Sequence, residues 1–171
     1  RASAQITIPQ GEDIHEVGEA IAALGEVEQV NYYMMNTIEI ENNGVVTDVQ
    51  AEYWETTDKL VTNTLAEGRH VKYDNEIVLS RPICEDLGAE VGDTVKVTNG
   101  EVSEEYLIVG MTQHISFLGR KAVMTFEGIQ RVNEAVEPNI LMVYKNENAT
   151  FADLEKAIHA LYPNYEIVDV E

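Results

Sequence analysis

Apolar positions along this chain fall into two spacings. Between Glu12 and Leu24, the residues Ile14, Val17, Ile21 and Leu24 recur at steps of three and four, which is one face of a helix. Glu12 and Asp13 stand where the helix dipole favours negative charge. Gly25 follows as the residue expected to close the helix in the left-handed conformation. Phe151, Leu154, Ile158 and Leu161 repeat the stripe near the other end. Thr150, with Asp153 three residues on, has capping-box spacing, and Pro163 stops this second helix. Strand-like runs flank both helices. Gln5–Ile8 alternates before Pro9, and Val27–Ile40 is long and rich in Val, Tyr, Ile and Thr. Asn139–Tyr144 is a compact apolar run, and Tyr165–Val170 alternates. Each end therefore reads strand, helix, strand.

Asn42-Asn43-Gly44 is a turn signal, and Val45–Trp54 follows it as a strand. Shorter elements come next. Glu76–Leu79 predicts a strand, Ser80 caps a short helix through Leu87 that tolerates Pro82 in its first turn, and Gly88 ends it. Gly92-Asp93 turns the chain into Thr94–Val97, and Asn99-Gly100 turns it back into Tyr106–Met111. Ala122–Met124 is a further strand, and Thr125 caps a helix from Phe126 to Val132.

Two βαβ units in series make a ferredoxin-like plan. The expected fold is α+β: a split ferredoxin-like (βαβ–βαβ) domain formed by residues 1–57 plus 137–171, with a small β-rich domain carrying short helices inserted over 58–136. Charge follows that division. The insert holds 13 acids and 8 bases, net −5, and the flanks hold 18 acids and 3 bases, net −15. In a ferredoxin-like sheet the first and last strands are adjacent and antiparallel, so Arg1 and Glu171 are expected to emerge together.

The net charge of −20 removes some functions. Such a surface repels phosphate backbones, so no nucleic-acid partner is expected, and it disfavours docking onto anionic lipid. The single cysteine, Cys84, excludes a disulfide framework or a multi-cysteine zinc site within the chain. It lies inside a predicted helix with no base beside it in sequence, which reads as a buried structural thiol. No apolar run approaches 18 residues. Arg1-Ala2-Ser3 opens without an initiator Met, as expected of a piece of a longer protein.

Chemical motifs are scarce. His15, His70, His114 and His159 have no metal-binding spacing, and no EF-hand loop, phosphate loop or serine-hydrolase elbow occurs. No catalytic, cofactor-binding or metal residue is assigned, and no cofactor is expected. Two clusters are candidates for contact with a partner. Tyr32-Tyr33-Met34-Met35 in a strand places Tyr33 and Met35 on one face; core packing and a Met/Tyr contact surface both fit it. Ile115, Phe117 and Leu118 lie between two predicted strands, where a core and an exposed contact loop fit equally well.

The segment Glu76–Val97 (EIVLSRPICEDLGAEVGDTVKV), followed by YLIVGM, resembles the extracytoplasmic, periplasmic core domain of MacB/FtsX-type ABC transporter permeases. The likeness rests on a strand, a short helix ending in Leu87-Gly88, the Val91-Gly92-Asp93 turn, the strand Thr94–Val97 and the strand end Leu107–Gly110. It extends over the chain, because that family encloses a β-rich part within a split porter-like α/β part. Gln113 to Lys121 fits no part of the pattern.

The resemblance implies a non-catalytic role on the extracytoplasmic face of a bacterial cytoplasmic membrane, as part of a membrane protein. Such a domain couples cytosolic ATP hydrolysis to transport or mechanical work outside the membrane, or captures a substrate or partner. The implied partners are flanking transmembrane helices of the same chain, a cytosolic ATPase subunit of the transporter, and an envelope protein or peptide. The alternative is a secreted or surface-anchored protein- or peptide-binding module without a transport role. An enzyme with an unrecognised carboxylate site is a third reading.

Overall fold

The structure is a computed structural model and describes residues 1–60, 65–113 and 119–171. Its elements, in order, are β1 (Ala4–Thr7), α1 (Ile14–Ala22), β2 (Val27–Asn42), β3 (Val45–Trp54), β4 (Leu65–Gly68), β5 (Glu76–Ser80), α2 (Arg81–Leu87), β6 (Thr94–Asn99), β7 (Val102–Thr112), β8 (Lys121–Thr125), α3 (Phe126–Gln130), β9 (Ile140–Lys145), α4 (Phe151–Leu161) and β10 (Val168–Asp169). The fold is α+β, with mixed strand pairing and few helices. It divides into two compact units, residues 1–33 with 138–171, and residues 34–137.

The first unit has the strand order β10-β1-β9-β2, and every neighbouring pair is antiparallel. Ala4 and Ile6 of β1 and Leu141 and Val143 of β9 form a core with Ile14, Val17 and Ile21 of α1 and Leu154 and Ile158 of α4. Both helices therefore cover one face of the sheet. Asp13 caps α1 by accepting from the His15 and Glu16 amides at 3.0 and 3.2 Å. Gly18 is the point of closest approach, where a Cβ would collide with the Tyr32 ring of β2. The capping box of α4 is closed in both directions between Thr150 and Asp153, each bond at 3.1 Å. Gly25 does not take the left-handed role expected of it. α1 ends instead at Ala23 in right-handed conformation, its amide bonded to the Glu19 carbonyl at 3.2 Å.

In the second unit six strands close a ring. β2 pairs with β3, β3 with β8 in parallel, β8 with β5, β5 with β7 in parallel, β7 with β6, and β6 returns to β2. Strand alternation then turns every second residue inward. Ile38 and Ile40, Val49, Ala51 and Tyr53, Ile77 and Leu79, Val95 and Val97, Tyr106 and Ile108, and Ala122 and Met124 share one core. Ile83 and Leu87 of α2 and Phe126 and Ile129 of α3 complete it. The Asn43-Gly44 turn has φ of 52° and 76°, the pair of positive angles that a two-residue hairpin needs. Gly88 closes α2 at φ 60°, in left-handed conformation.

The boundary between units differs from the sequence expectation. Residues 34–57, read from sequence with the flanks, fall in the second unit, and the later border shifts by one residue. β2 carries two partners in succession: residues 27–33 pair with β9, and residues 39–41 pair with β6. The charge shift marked a change in surface composition, whereas the boundary follows strand pairing. The C-terminal strand is also shorter than its alternation suggests. Tyr165 and Ile167 are buried in the first core, and only Val168 and Asp169 pair with β1.

β4 was not expected from sequence. It pairs with β7 opposite Thr112, Met111 and Gly110, and the contact depends on two glycines. A Cβ on Gly68 would meet the Val109 carbonyl, and one on Gly110 would meet the Arg69 carbonyl. Gly68 also has φ 74°. Gly68→Ala is therefore expected to cost at least about 1–3 kcal/mol, from backbone strain and lost packing together. Urea unfolding of the two proteins measures it, and equal midpoints would show that β4 adjusts freely.

Candidate functional site

The register of the first unit separates two faces, because directly opposed residues in an antiparallel pair point the same way. Gln5, Met142 and Asn31 form one row across β1, β9 and β2, and Thr7, Ile140 and Tyr33 form the next. Tyr144 stands opposite Gln29, and Val168 opposite Gln5. These residues lie on the face turned away from α1 and α4. None of them carries a formal charge, in a chain whose residues are 25% charged. Such a surface makes contact through shape, apolar area and amide or phenol hydrogen bonds. Burial pushes the Tyr144 phenol above its ordinary pKa, and a hydrogen bond with Asn31 works the other way. Asn31 is 4% exposed, and its side-chain carbonyl accepts the Tyr32 amide at 2.9 Å.

Of the contact residues expected from sequence, Tyr33 lies on this face but is 8% exposed, which leaves little of it for a partner. It belongs to the packed part of the sheet. Met35, two residues on in the second unit, is 37% exposed and keeps its candidacy. Tyr32 and Met34 point into the two cores. Ile115, Phe117 and Leu118 lie outside the described residues. Ile140, Met142 and Tyr144 were not singled out from sequence. The run Ile140–Tyr144 is apolar at consecutive positions, so its alternation is invisible until pairing assigns Leu141 and Val143 to the helix side.

The ends of the chain form a second feature. β1 and β10 pair antiparallel, with Ala4 opposite Asp169 and Gln5 opposite Val168. The Val170 amide donates to the Ser3 carbonyl at 3.1 Å, and the Lys145 ammonium meets the Glu171 carboxylate at 3.1 Å. Arg1 and Glu171 thus lie side by side.

Four ionisable groups of the second unit, Cys84, Lys121, Glu52 and Glu76, are engaged in structure. Burial, with Glu67 nearby, pushes the Cys84 thiol up to about 11, so it is protonated and a poor nucleophile at neutral pH. Lys121 and Glu52 pair at 2.5 Å where β8 meets β3. Glu76 is 3% exposed and organises the preceding loop. It accepts both guanidinium nitrogens of Arg69, and the Lys72 and Tyr73 amides at 2.8 and 2.9 Å. Burial opposes its ionisation, but the Arg69 bond and the two amides outweigh it and hold its pKa below the usual range. Among the described residues, no group of three or more His, Cys, Asp or Glu is arranged to hold a metal ion. No described helix is long and apolar enough to cross a membrane.

No protein-family model matches this sequence, and no curated protein matches it. Solved structures do. The periplasmic region of MacB from Actinobacillus actinomycetemcomitans superposes with a TM-score of 0.73 at 10% identity, covering 98% of this chain and 88% of that one. The extracellular domain of the noncanonic ABC-type transporter YknZ from Gram-positive bacteria gives 0.71 at 10% identity, covering 99% of this chain and 100% of that one. The chain therefore has the fold of MacB-type extracytoplasmic domains, the fold implied by the residues from Glu76 to Gly110.

Two outcomes follow from these placements. Tyr33→Ala should cost about 3–5 kcal/mol, as for other buried aromatic truncations, whereas Met35→Ser should stay within about 0.5 kcal/mol. Thermal unfolding of both variants separates a core role from a surface one, and a costly Met35 change would remove it as a contact. Glu76 has a lowered folded-state pKa, so its contribution is full above the unfolded value of about 4.3 and is lost as pH falls through the folded value. Glu76→Gln should cost about 1–3 kcal/mol at pH 7. The gap to wild type should narrow in urea titrations below about pH 4; a gap independent of pH would show that charge at Glu76 does not matter.

Proposed function

We propose that this chain is the extracytoplasmic domain of an ABC transporter permease, on the outer face of a bacterial cytoplasmic membrane. The observation that carries the reading is the likeness of fold along nearly the whole chain to the MacB and YknZ domains. In this reading the first unit is a split ferredoxin-like, porter-like part. The antiparallel order β10-β1-β9-β2 supports that description, since it is the order two βαβ units adopt when the last strand joins the first. The adjacent ends support it too, because two neighbouring transmembrane helices of the same chain can be joined to them without a long linker.

The domain would work by contact and movement. A cytosolic ATPase subunit drives the flanking helices, and the domain transmits that motion outward as transport or FtsX-like mechanotransmission, or captures a substrate, envelope protein or peptide. We read it as non-catalytic, in keeping with the protonated Cys84 and the structural engagement of Glu76 and Lys121. The uncharged sheet face, Met35, and the segment holding Ile115, Phe117 and Leu118 are the contact surfaces we assign to this role.

Fractionation of the native source with antibody to this domain tests the reading. A band well above 19.1 kDa, confined to integral membrane proteins, is the expected result. A released band near 19.1 kDa would overturn it and favour a secreted or surface-anchored binding module.

A further inference from the structure

The C-terminal segment changes character abruptly between two neighbouring residues. Ile167 is 9% exposed within the first core, and Val168 is 44% exposed. Before that step the chain is held firmly. Tyr165 is 9% exposed, its hydroxyl donates to Glu12 at 2.6 Å, its ring stacks on Tyr162 at 4.9 Å, and its carbonyl lies 2.8 Å from His159 Nε2. After the step the attachment is slight. Two register pairs join β10 to β1, the Val170 amide reaches the Ser3 carbonyl, and Arg1 reaches the Val170 carbonyl at 3.4 Å. The Glu171 side chain pairs with Lys145 and hydrogen-bonds Ser3, but it is exposed, where screening leaves the ion pair worth little.

The strand that β10 leans on is secured independently. Ser3 and Ala4 are 4% and 0% exposed, the Ser3 amide donates to the Val143 carbonyl at 2.8 Å, and four register pairs join β1 to β9. Loss of β10 therefore uncovers one edge of β1 without removing any side chain of the first core.

We propose that residues 168–171 form a releasable latch on β1, with buried Ile167 and, behind it, Tyr165 bonded to Glu12 as the stop that ends the release. Opening is a local event of low free energy, in contrast with unfolding of the unit. It frees four residues, about 14 Å of chain at full extension. In the permease reading, tension between the two ends loads this pairing one bond at a time and leaves the core untouched until Ile167 is reached. The latch is a property of the fold and does not depend on the permease reading. In that reading it supplies slack between the domain and the segment that follows it.

Amide hydrogen exchange on the 171-residue chain, read residue by residue by NMR, tests the latch. The Val170 and Ser3 amides both bond to neighbouring strands, one to β1 and one to β9. Val170 should exchange at least about a hundredfold faster than Ser3. Similar rates, both slow or both fast, would overturn the proposal. The bond of the Tyr165 amide to the Tyr162 carbonyl reports on the stop. Tyr165→Phe, which keeps the ring, should raise exchange of that amide at least about tenfold and leave Ser3 unchanged. An unaltered residue-165 amide would show that the hydroxyl bond to Glu12 is not what halts the release.

Discussion

Three residue pairs between β2 and β6 close the ring of the second unit: Glu39 with Thr98, Ile40 with Val97, and Glu41 with Lys96. A sheet left open there would present unpaired amides and carbonyls along both strands, and closure removes those edges. Once the ring is closed, alternation is imposed on all six strands together. Ile40 and Val97, opposite each other at the seam, are both 0% exposed, while Glu41 and Lys96 meet outside it at 2.8 Å. The inward set then needs caps. α2 and α3 supply Leu87 and Ile129, and buried Tyr106 reaches the Gly128 carbonyl of α3 at 2.6 Å.

Loops are tied to this frame by a few polar groups whose partners are distant in sequence. Asn42 and Asn43, at the hairpin turn, donate to the Leu87 carbonyl at 3.1 Å and so satisfy an end of α2 that the helix itself leaves open. Ser80 shows the same economy. It occupies the capping position of α2 but makes no capping bond, and its hydroxyl accepts the Lys121 amide at 2.9 Å, joining β5 to β8. Glu76 acts similarly on the loop before β5. These groups position strands and loops relative to one another within the unit.

Charge is unevenly distributed as well. The chain carries −20, yet the helix-free face of the first unit is built from amides, hydroxyls, phenols and apolar side chains. An acidic surface keeps the domain soluble and discourages indiscriminate association. An uncharged face within it leaves a region where a partner is not repelled. β10 and the anchored Tyr165 lie in the same unit, so the contact and the release proposed above share one small sheet.

Much of the local structure was legible along the chain. Stripe spacing placed α1 and α4, the Thr150–Asp153 pair set the start of α4, and Asn43-Gly44, Gly88 and Asn99-Gly100 marked turns that the backbone makes. These signals are read within a few residues, where steric and capping preferences act. The general fold type was legible too, because the strand, helix and Gly92-Asp93 turn between Glu76 and Gly110 resemble a known domain. What tertiary structure alone decided is which strand meets which. Val27–Asn42 has one continuous strand pattern, and nothing in it states that Tyr33 belongs to one unit and Met34 to the next. Leu65–Gly68 has little strand propensity, and pairs with β7 because Gly68 and Gly110 let two backbones approach. Tyr33 and Met35 are equivalent by alternation, yet one is buried and the other exposed, because burial is set by neighbours that arrive from elsewhere in the chain.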